Sequence, residues 1–428
     1  MKIESYDTII VGGGPAGAAA GALLASKGRQ VVILERERFP RYIIGESMLP
    51  FCYFALERIG MIEPMKSSNF VRKYSVQFVR IDGRMTQPFY FFQHLDHEAS
   101  TTWQVERSEF DAMLLDNARG SGVDVREAMT VKDFIMDADG AVIGVEARDA
   151  DGAMHGFRAP VTIDASGQYT LSAARFGWRR MDRQLKKIAI WSYFKGAMHD
   201  PGRDAGATTV AYLNEKNWMW YIPLQRDIVS VGVVGERDYL YTDTRDPQTI
   251  FEREAEKNVW IREHLGPAER VNDFRVTGDF SYRSEYCAAD GLVLTGDAFA
   301  FLDPVFSSGL FLALHGGVLI ADAVDDAHKK NDFSGERFAE YGSQMCEAIE
   351  AMRKLIHAFY NPDFSFAAVL KEYPELRSDL TDCLIGNLHR DFTTLFQAIS
   401  EFVPLPDPLP YGKPRVLSNP SVRHAVGG

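Results

Sequence analysis

Apolar and polar positions divide the chain into recognisable elements. Residues 6–11 (YDTIIV) form a short apolar run of strand type, residues 29–34 form a second that ends at Glu35, and a small-residue stretch between them continues as helix through Ser26. Strand, helix and strand in that order predict a βαβ unit. Residues 71–78 (VRKYSVQF) alternate like a strand, with Arg72 and Lys73 on opposite faces. Residues 218–223 (WMWYIP) alternate as well, so Trp218 and Trp220 share one face while Met219 and Tyr221 take the other. Residues 291–297 (GLVLTGD) read as a buried strand ending in Gly296-Asp297, followed by a helix-like run after Ser308. Beyond residue 330, Met345, Ile349, Met352, Ile356 and Phe359 recur at helical spacing, as do Leu388, Phe392, Leu395, Ile399 and Phe402. Both stripes are expected to be core packing against the main body. Pro404, Pro406, Pro408, Pro410 and Pro414 then end regular structure and leave residues 417–428 as a loose tail.

Composition narrows the class. With 428 residues, 46% of them hydrophobic, the chain can bury a large core in one large or two interlocked domains. Its 47 basic and 59 acidic residues give a net charge of -12, which argues against nucleic acid as the main ligand. Cys52, Cys287, Cys346 and Cys383 lie far apart without CxxC spacing, and the first residues run into a strand rather than a signal peptide, which points to a reducing cytoplasm. The most apolar region, residues 299–324, is broken by Asp303, Pro304 and several glycines, so no uninterrupted run of roughly 18 apolar residues is present to span a membrane.

The turn inside the βαβ unit carries the first chemistry. Gly12-Gly13-Gly14-Pro15-Ala16-Gly17 is a G-x-G-x-x-G loop in its proper context: Gly12 allows the tight turn, Gly14 lets backbone amides approach a pyrophosphate, and Gly17 lets the helix lie close on the sheet. Glu35 stands where a ribose hydroxyl would be bonded. Asp297 can reach the ribityl chain of a flavin, with the amides after Pro304 facing its ring. These features resemble the flavoprotein monooxygenase superfamily, which binds FAD. In that superfamily's order, Arg107 within QVERSEFD stands at an FAD-contacting arginine, and Ile163-Asp164-Ala165-Ser166-Gly167 at an A-T-G-like turn. One G-x-G-x-x-G unit is present, so reduced flavin is expected from a separate flavin reductase.

Trp218-Met219-Trp220-Tyr221-Ile222-Pro223 fits the W-x-W-x-I-P signature that separates flavin-dependent halogenases from related hydroxylases. Together with Phe39-Pro40-Arg41, Gly45-Glu46-Ser47-Met48-Leu49-Pro50 and Phe301-Leu302-Asp303-Pro304-Val305-Phe306-Ser307-Ser308-Gly309, the chain resembles that family along most of its length. The resemblance implies a two-stage reaction: reduced FAD and O2 turn a chloride or bromide into hypohalous acid, which reaches the organic substrate away from the flavin. Trp218, Trp220 and Pro223 are then the separation between the two chemistries. Ser308 and Gly309 are the halide site, and Lys73 the catalytic lysine that relays the electrophile, by hydrogen bond or as a haloamine. Cofactor contacts fall on Gly12, Gly14, Ala16, Gly17, Glu35, Arg41, Glu46, Ser47, Arg107, Asp297, Pro304 and Leu310.

Departures from the family pattern are informative. Tryptophan halogenases carry a glutamate near the Ser/Thr-Gly step, where this chain has Phe306-Ser307; a phenol or pyrrole, which activates its own ring, is therefore the expected substrate. Ile43 replaces a polar residue on the flavin side. The compact length resembles halogenases acting on pyrrolyl or tyrosyl groups tethered to a carrier protein, and the basic run Trp178-Arg179-Arg180-Met181-Asp182-Arg183-Gln184-Leu185-Lys186-Lys187 is a candidate docking surface or a solvated linker. Phe89-Tyr90-Phe91-Phe92 is expected to line a substrate cavity, and His94 with His97 lacks a third ligand for a metal. The architecture expected is α/β: a Rossmann-type FAD domain from residues 1–184 and 271–330, including part of the substrate sheet near 70–100, an inserted mixed sheet over 185–270, and a helical region over 331–428. A hydroxylase or prenyl reductase of the same fold ranks second, and a non-catalytic flavin-binding partner third.

Overall fold

The computed structural model describes residues 2–278 and 281–416. At its centre a sheet runs in the order Ala288–Ala289, Leu292–Leu294, Val161–Asp164, Thr8–Val11, Val31–Leu34, Asp124–Arg126, parallel throughout except at the first strand. Thr8–Val11 and Val31–Leu34 are buried at every position, as continuous apolar runs are in a sheet covered on both faces. The helix Pro15–Ser26 covers one face, and its alanines and glycines are accounted for by its neighbour Gly309–Lys330: a Cβ on Gly317 would stand 2.5 Å from the Ala16 carbonyl oxygen. The segment Lys2–Ser5 leaves this sheet and pairs in parallel with Met154–Arg158, in a separate sheet completed by Val142–Arg148 and Thr130–Met136.

An eight-stranded mixed sheet carries the aromatic strand. Its order is Glu269–Arg270, Lys187–Lys195, Ile228–Glu236, Trp218–Leu224, Thr208–Tyr212, Ser75–Val79, Phe89–Tyr90, with Arg275–Gly278 also pairing Lys187–Lys195. It therefore reaches past residue 270, the boundary expected from sequence, to Gly278. The expected alternation holds in Trp218–Leu224. Trp218, Trp220 and Ile222 pack in the main core, while Met219 and Tyr221 enter a second core with Ile250, Phe251, Trp260 and Ile261. Pro223 is tolerated near the strand's end because the neighbour Thr208–Tyr212 pairs only as far as Thr209 opposite Tyr221.

Two expected elements differ. Residues 71–78 are not one strand: Val71–Lys73 pairs with Thr102–Gln104, whereas Ser75–Val79 joins the large sheet, with a break at Tyr74 between them. The second C-terminal stripe is buried as expected, but only Thr393–Ser400 is helical, and Leu388 and Phe392 are held by the irregular segment before it. The first stripe lies in the helix Ala339–Tyr360. The basic run forms the strand Arg179–Met181 and the start of Lys187–Lys195, with Arg180 paired to Glu285, Arg179 over the Tyr282 ring and Lys187 paired to Glu236. Several of its cations are thus taken up within the fold. Residues 417–428 lie outside the described residues. Among the described residues, no helix is long and apolar enough to cross a membrane.

Candidate active site

The glycine loop is built as its spacing requires. Gly12 has φ +104° and a Cβ there would stand 2.4 Å from the Ala165 carbonyl oxygen; a Cβ on Gly17 would stand 2.0 Å from the Gly12 carbonyl oxygen. Gly14 differs, since a Cβ there would meet only Arg41 Nη2, at 3.4 Å. The loop backbone thus faces open space at the start of the helix Pro15–Ser26, whose first amides receive no side-chain cap and are free to hold a phosphate. Ala16 lies close to Gly296 across the cleft. Glu35 accepts the N–H groups of Gly13 at 2.7 Å and Glu37 at 2.8 Å, and lines a narrow cleft with Gly12, Arg36, Met129, Ser166 and Tyr169.

Farther along, two arginines converge on one buried carboxylate. Arg107 forms a two-pronged pair with Asp111, Nε–Oδ1 2.9 Å and Nη2–Oδ2 3.0 Å, and Arg41 Nη1 stands 3.0 Å from the same Oδ2. Arg107 also donates to the carbonyls of Ile44 and Gly45 and so fixes the segment before Glu46. Glu46 is buried; loss of hydration lifts its carboxyl, while the Tyr193 hydroxyl donates to it at 2.6 Å. Loss of hydration likewise lifts Asp297 to about 6, opposed by Arg107. The open glycine turn, an Arg41 Nη1 without an aligned acceptor and the acid at Asp297 fit a flavin dinucleotide.

Lys73 is fully buried and donates to Ser47 Oγ at 2.8 Å and to the Met48 carbonyl at 3.1 Å. Ser47 Oγ in turn lies 2.8 Å from Thr208 Oγ1, which receives the Gln104 amide at 2.8 Å. Loss of hydration lowers the amine to about 7, with Cys52 acting weakly against it, so the neutral form is present near neutral pH. Arg72 points the other way, over the Trp103 ring, which separates it from Lys73 in role. Lys73 also forms part of the wall of a cavity of about 160 Å³. Phe89, Phe91, Val305, Phe306 and Leu384 supply much of its apolar wall, Ser307, Thr208 and Thr381 its hydroxyls, and Arg377 a second basic group; no carboxylate among the described residues lines it. His94 stacks on Phe89 at 4.7 Å, and His97 caps the turn Glu98–Ser100.

The loop Asp303–Ser308 borders the same cavity. Asp303 caps the turn Pro304–Phe306 through the Val305 N–H, Ser307 takes φ +55°, and the helix Gly309–Lys330 begins with Leu310 buried. Ser308 occupies the N-cap position without a side-chain cap bond, and a Cβ on Gly309 would touch nothing within 4 Å. Unpaired first-turn amides beside free space suit a small anion. Neither Trp218 nor Trp220 lines the lysine cavity. Both indoles are buried, their rings 6.2 Å apart, with Trp220 lying across Gly232 of the next strand so closely that a Cβ there would stand 2.3 Å from the indole.

Sequence reasoning missed several neighbours. Asp111, at the end of the QVERSEFD motif, joins Arg41 to Arg107. Tyr169 and Arg36 in the cleft beside Glu35, Thr208 behind Ser47, and the helices Phe366–Glu372 and Arg377–Ile385 along the cavity carry no local signal beyond amphipathic spacing.

Comparison with known proteins agrees with this geometry. The family model described as tryptophan halogenase matches residues 7–99 and 91–365. A 1H-pyrrole-2-carbonyl-[peptidyl-carrier protein] brominase of Pseudoalteromonas luteoviolacea is 33% identical over 90% of this chain and 93% of its own. A 1H-pyrrole-2-carbonyl-[peptidyl-carrier protein] chlorinase of Pseudomonas fluorescens is 29% identical over 91% of each. The solved flavin-dependent brominase Bmp2 superposes with a TM-score of 0.84 at 29% identity, over 93% of this chain and 99% of that one. Taken with the glycine loop and the tryptophan strand, these matches show that the chain belongs to the tryptophan halogenase family of flavin-dependent halogenases.

Proposed function

We propose that this chain uses reduced FAD and O2 to oxidise chloride or bromide and halogenates a pyrrole or phenol carried on a carrier protein in secondary metabolism, with a separate reductase supplying the reduced flavin. The observation that carries this reading is the buried Lys73 in the wall of a largely apolar cavity that no carboxylate lines among the described residues. When bound, the flavin supplies the oxidising equivalent from O2 that converts halide to hypohalous acid. The loop at Gly12, Gly14 and Gly17 holds the pyrophosphate, Glu35 the ribose, and Asp297 with Arg107 and Arg41 the middle of the cofactor. Backbone amides at Ser308 and Gly309 hold the halide without a full cation that would over-stabilise it. Trp218 and Trp220 keep the acceptor from the flavin.

Lys73 then carries the halogen. Its neutral amine attacks hypohalous acid, the nitrogen–halogen bond forms as the oxygen–halogen bond breaks, and water leaves. Attack by the acceptor ring returns the halogen to carbon; the ring proton departs and the amine is restored. A free indole needs a nearby base for that last proton, whereas a pyrrole nitrogen or phenol oxygen feeds charge into the ring, in keeping with a cavity of hydroxyls and hydrocarbon. The two carrier-protein halogenases among the relatives support a tethered acyl group. Arg377, which lines the cavity from the C-terminal side, suits the acyl carbonyl of such a substrate. The test is intact-mass analysis with FAD, a reductase, NADH, O2 and bromide, offering pyrrolyl-loaded and tyrosyl-loaded carriers beside simple phenols. Bromine on a carrier is expected; bromine on free phenols alone removes the carrier, and an oxygenated product without halogen removes the reaction.

A further inference from the structure

We infer that Tyr360 is a positioning residue that ties the indole of Trp218 to the halide-side loop and so holds the separation between flavin and acceptor in place; this rests on the reading of Trp218 and Trp220 as that separation. Tyr360 ends the helix Ala339–Tyr360, far in sequence from both partners. The Trp218 indole N–H donates to its Oη at 2.9 Å, and the hydroxyl donates to Asp303 Oδ2 at 2.9 Å. The direction is fixed, because the indole is donor only and an ionised carboxylate is acceptor only. The other oxygen of Asp303 accepts the Val305 N–H at 3.1 Å, starting the turn that leads through Ser307 to Ser308 and Gly309. Lys187 lies over the Tyr360 ring, 4.2 Å from its centroid, and pairs with Glu236, which holds the tyrosine from a third side.

The two tryptophans are therefore fixed in different ways. Trp220 is secured within its own sheet, by Ser230 Oγ at 3.1 Å and by the gap that Gly232 leaves. Trp218 is secured from outside the sheet, by the one hydroxyl that also reaches the loop. Loss of that hydroxyl leaves the ring of residue 360 in place but strands a buried indole N–H and unties the indole from the turn.

The experiment measures halogenated product formed per O2 consumed, with hydrogen peroxide release as the complement. In Tyr360→Phe this ratio is expected to fall about fivefold or more, as a small misplacement does at a reacting centre, with FAD affinity unchanged. Trp218→Phe, which also removes the N–H, should lower the ratio similarly, and the double variant should be no worse than either, since both cut one link. It also reads the link should Tyr360→Phe fail to fold. Tyr341→Phe serves as control: it removes another buried hydroxyl of the same helix, bonded to the Leu294 carbonyl, and should leave the ratio alone. An equal fall in Tyr341→Phe, or additive loss in the double variant, overturns the link. A wild-type ratio in Tyr360→Phe beside a collapsed ratio in Trp218→Ala overturns the link and keeps the separation; wild-type ratios in both overturn the separation as well.

Discussion

The cofactor cleft and the lysine cavity are assembled on opposite plans. The cleft is anchored on contiguous chain, with strand, glycine turn, helix and strand within the first 35 residues, and is closed by the strand at Met129 and the turn at Ala165. The cavity gathers Leu49, Lys73, Phe89, Thr208, Phe306 and Leu380 from six separate stretches. A contiguous site is governed by backbone constraints, which tolerate no added atom. A gathered site is governed by side-chain chemistry, in which one group can be removed while the frame stands.

The sharpest way to break this contrast is to add one methyl to the cleft. Gly17→Ala places a Cβ 2.0 Å from the Gly12 carbonyl oxygen, so FAD binding should be lost and stability should fall by about 1–3 kcal/mol or more. Equilibrium FAD titration and thermal melting check this; retained binding would mean the loop can open without cost. Next in size, Lys73→Ala should lower halogenation by about 10²-fold or more while FAD affinity and flavin reoxidation stay at wild type.

A pH series sharpens the cavity side. With the amine near 7 and the neutral form reactive, halogenated product per flavin reoxidised should rise through about pH 7 and then level, and that limb should vanish in Lys73→Met. The sign for stability is separate. Because the folded amine titrates below its unfolded value of about 10.4, the unfolded chain binds more protons between the two, and stability should rise with pH across that window. Lys73→Met should lose that slope in denaturant titrations. A smaller effect is expected from Gly232→Ala, which crowds Trp220 and should cost about 1–3 kcal/mol, with some product diverted to hydrogen peroxide. Smallest is Arg377→Ala, a rise of up to about tenfold in KM for a tethered acceptor with kcat little changed, because it removes one hydrogen bond to substrate. An unchanged KM would take Arg377 out of recognition.

The same contrast accounts for what was legible in the sequence. The roles of Gly12 and Gly17 follow from a local turn, and the opposite faces of Trp218 and Met219 follow from strand geometry, so both were readable without tertiary information. The burial of Lys73 was not. Its strand ends before Tyr74, and with the change of partner sheet there Lys73, Val76 and Phe78 line one cavity, which a single alternating strand would forbid. The C-terminal stripes were readable as core, yet the helices Phe366–Glu372 and Arg377–Ile385 between them wall the cavity, because an amphipathic period tells that a face is covered and not by what. Asp111 pairs with Arg107 one helical turn away but gains its second arginine, Arg41, from a distant stretch, and Tyr360 acts through Trp218 and Asp303, both distant in sequence.

The most direct test of the lysine's place in the reaction is a paired intact-mass measurement on a pyrrolyl-loaded carrier, comparing wild type with Lys73→Ala at matched rates of flavin reoxidation in bromide. The geometry predicts a bromine isotope doublet on the carrier with wild type and none with the variant. A doublet of equal intensity from Lys73→Ala would contradict it, and would mean that hypohalous acid reaches the acceptor without the buried amine.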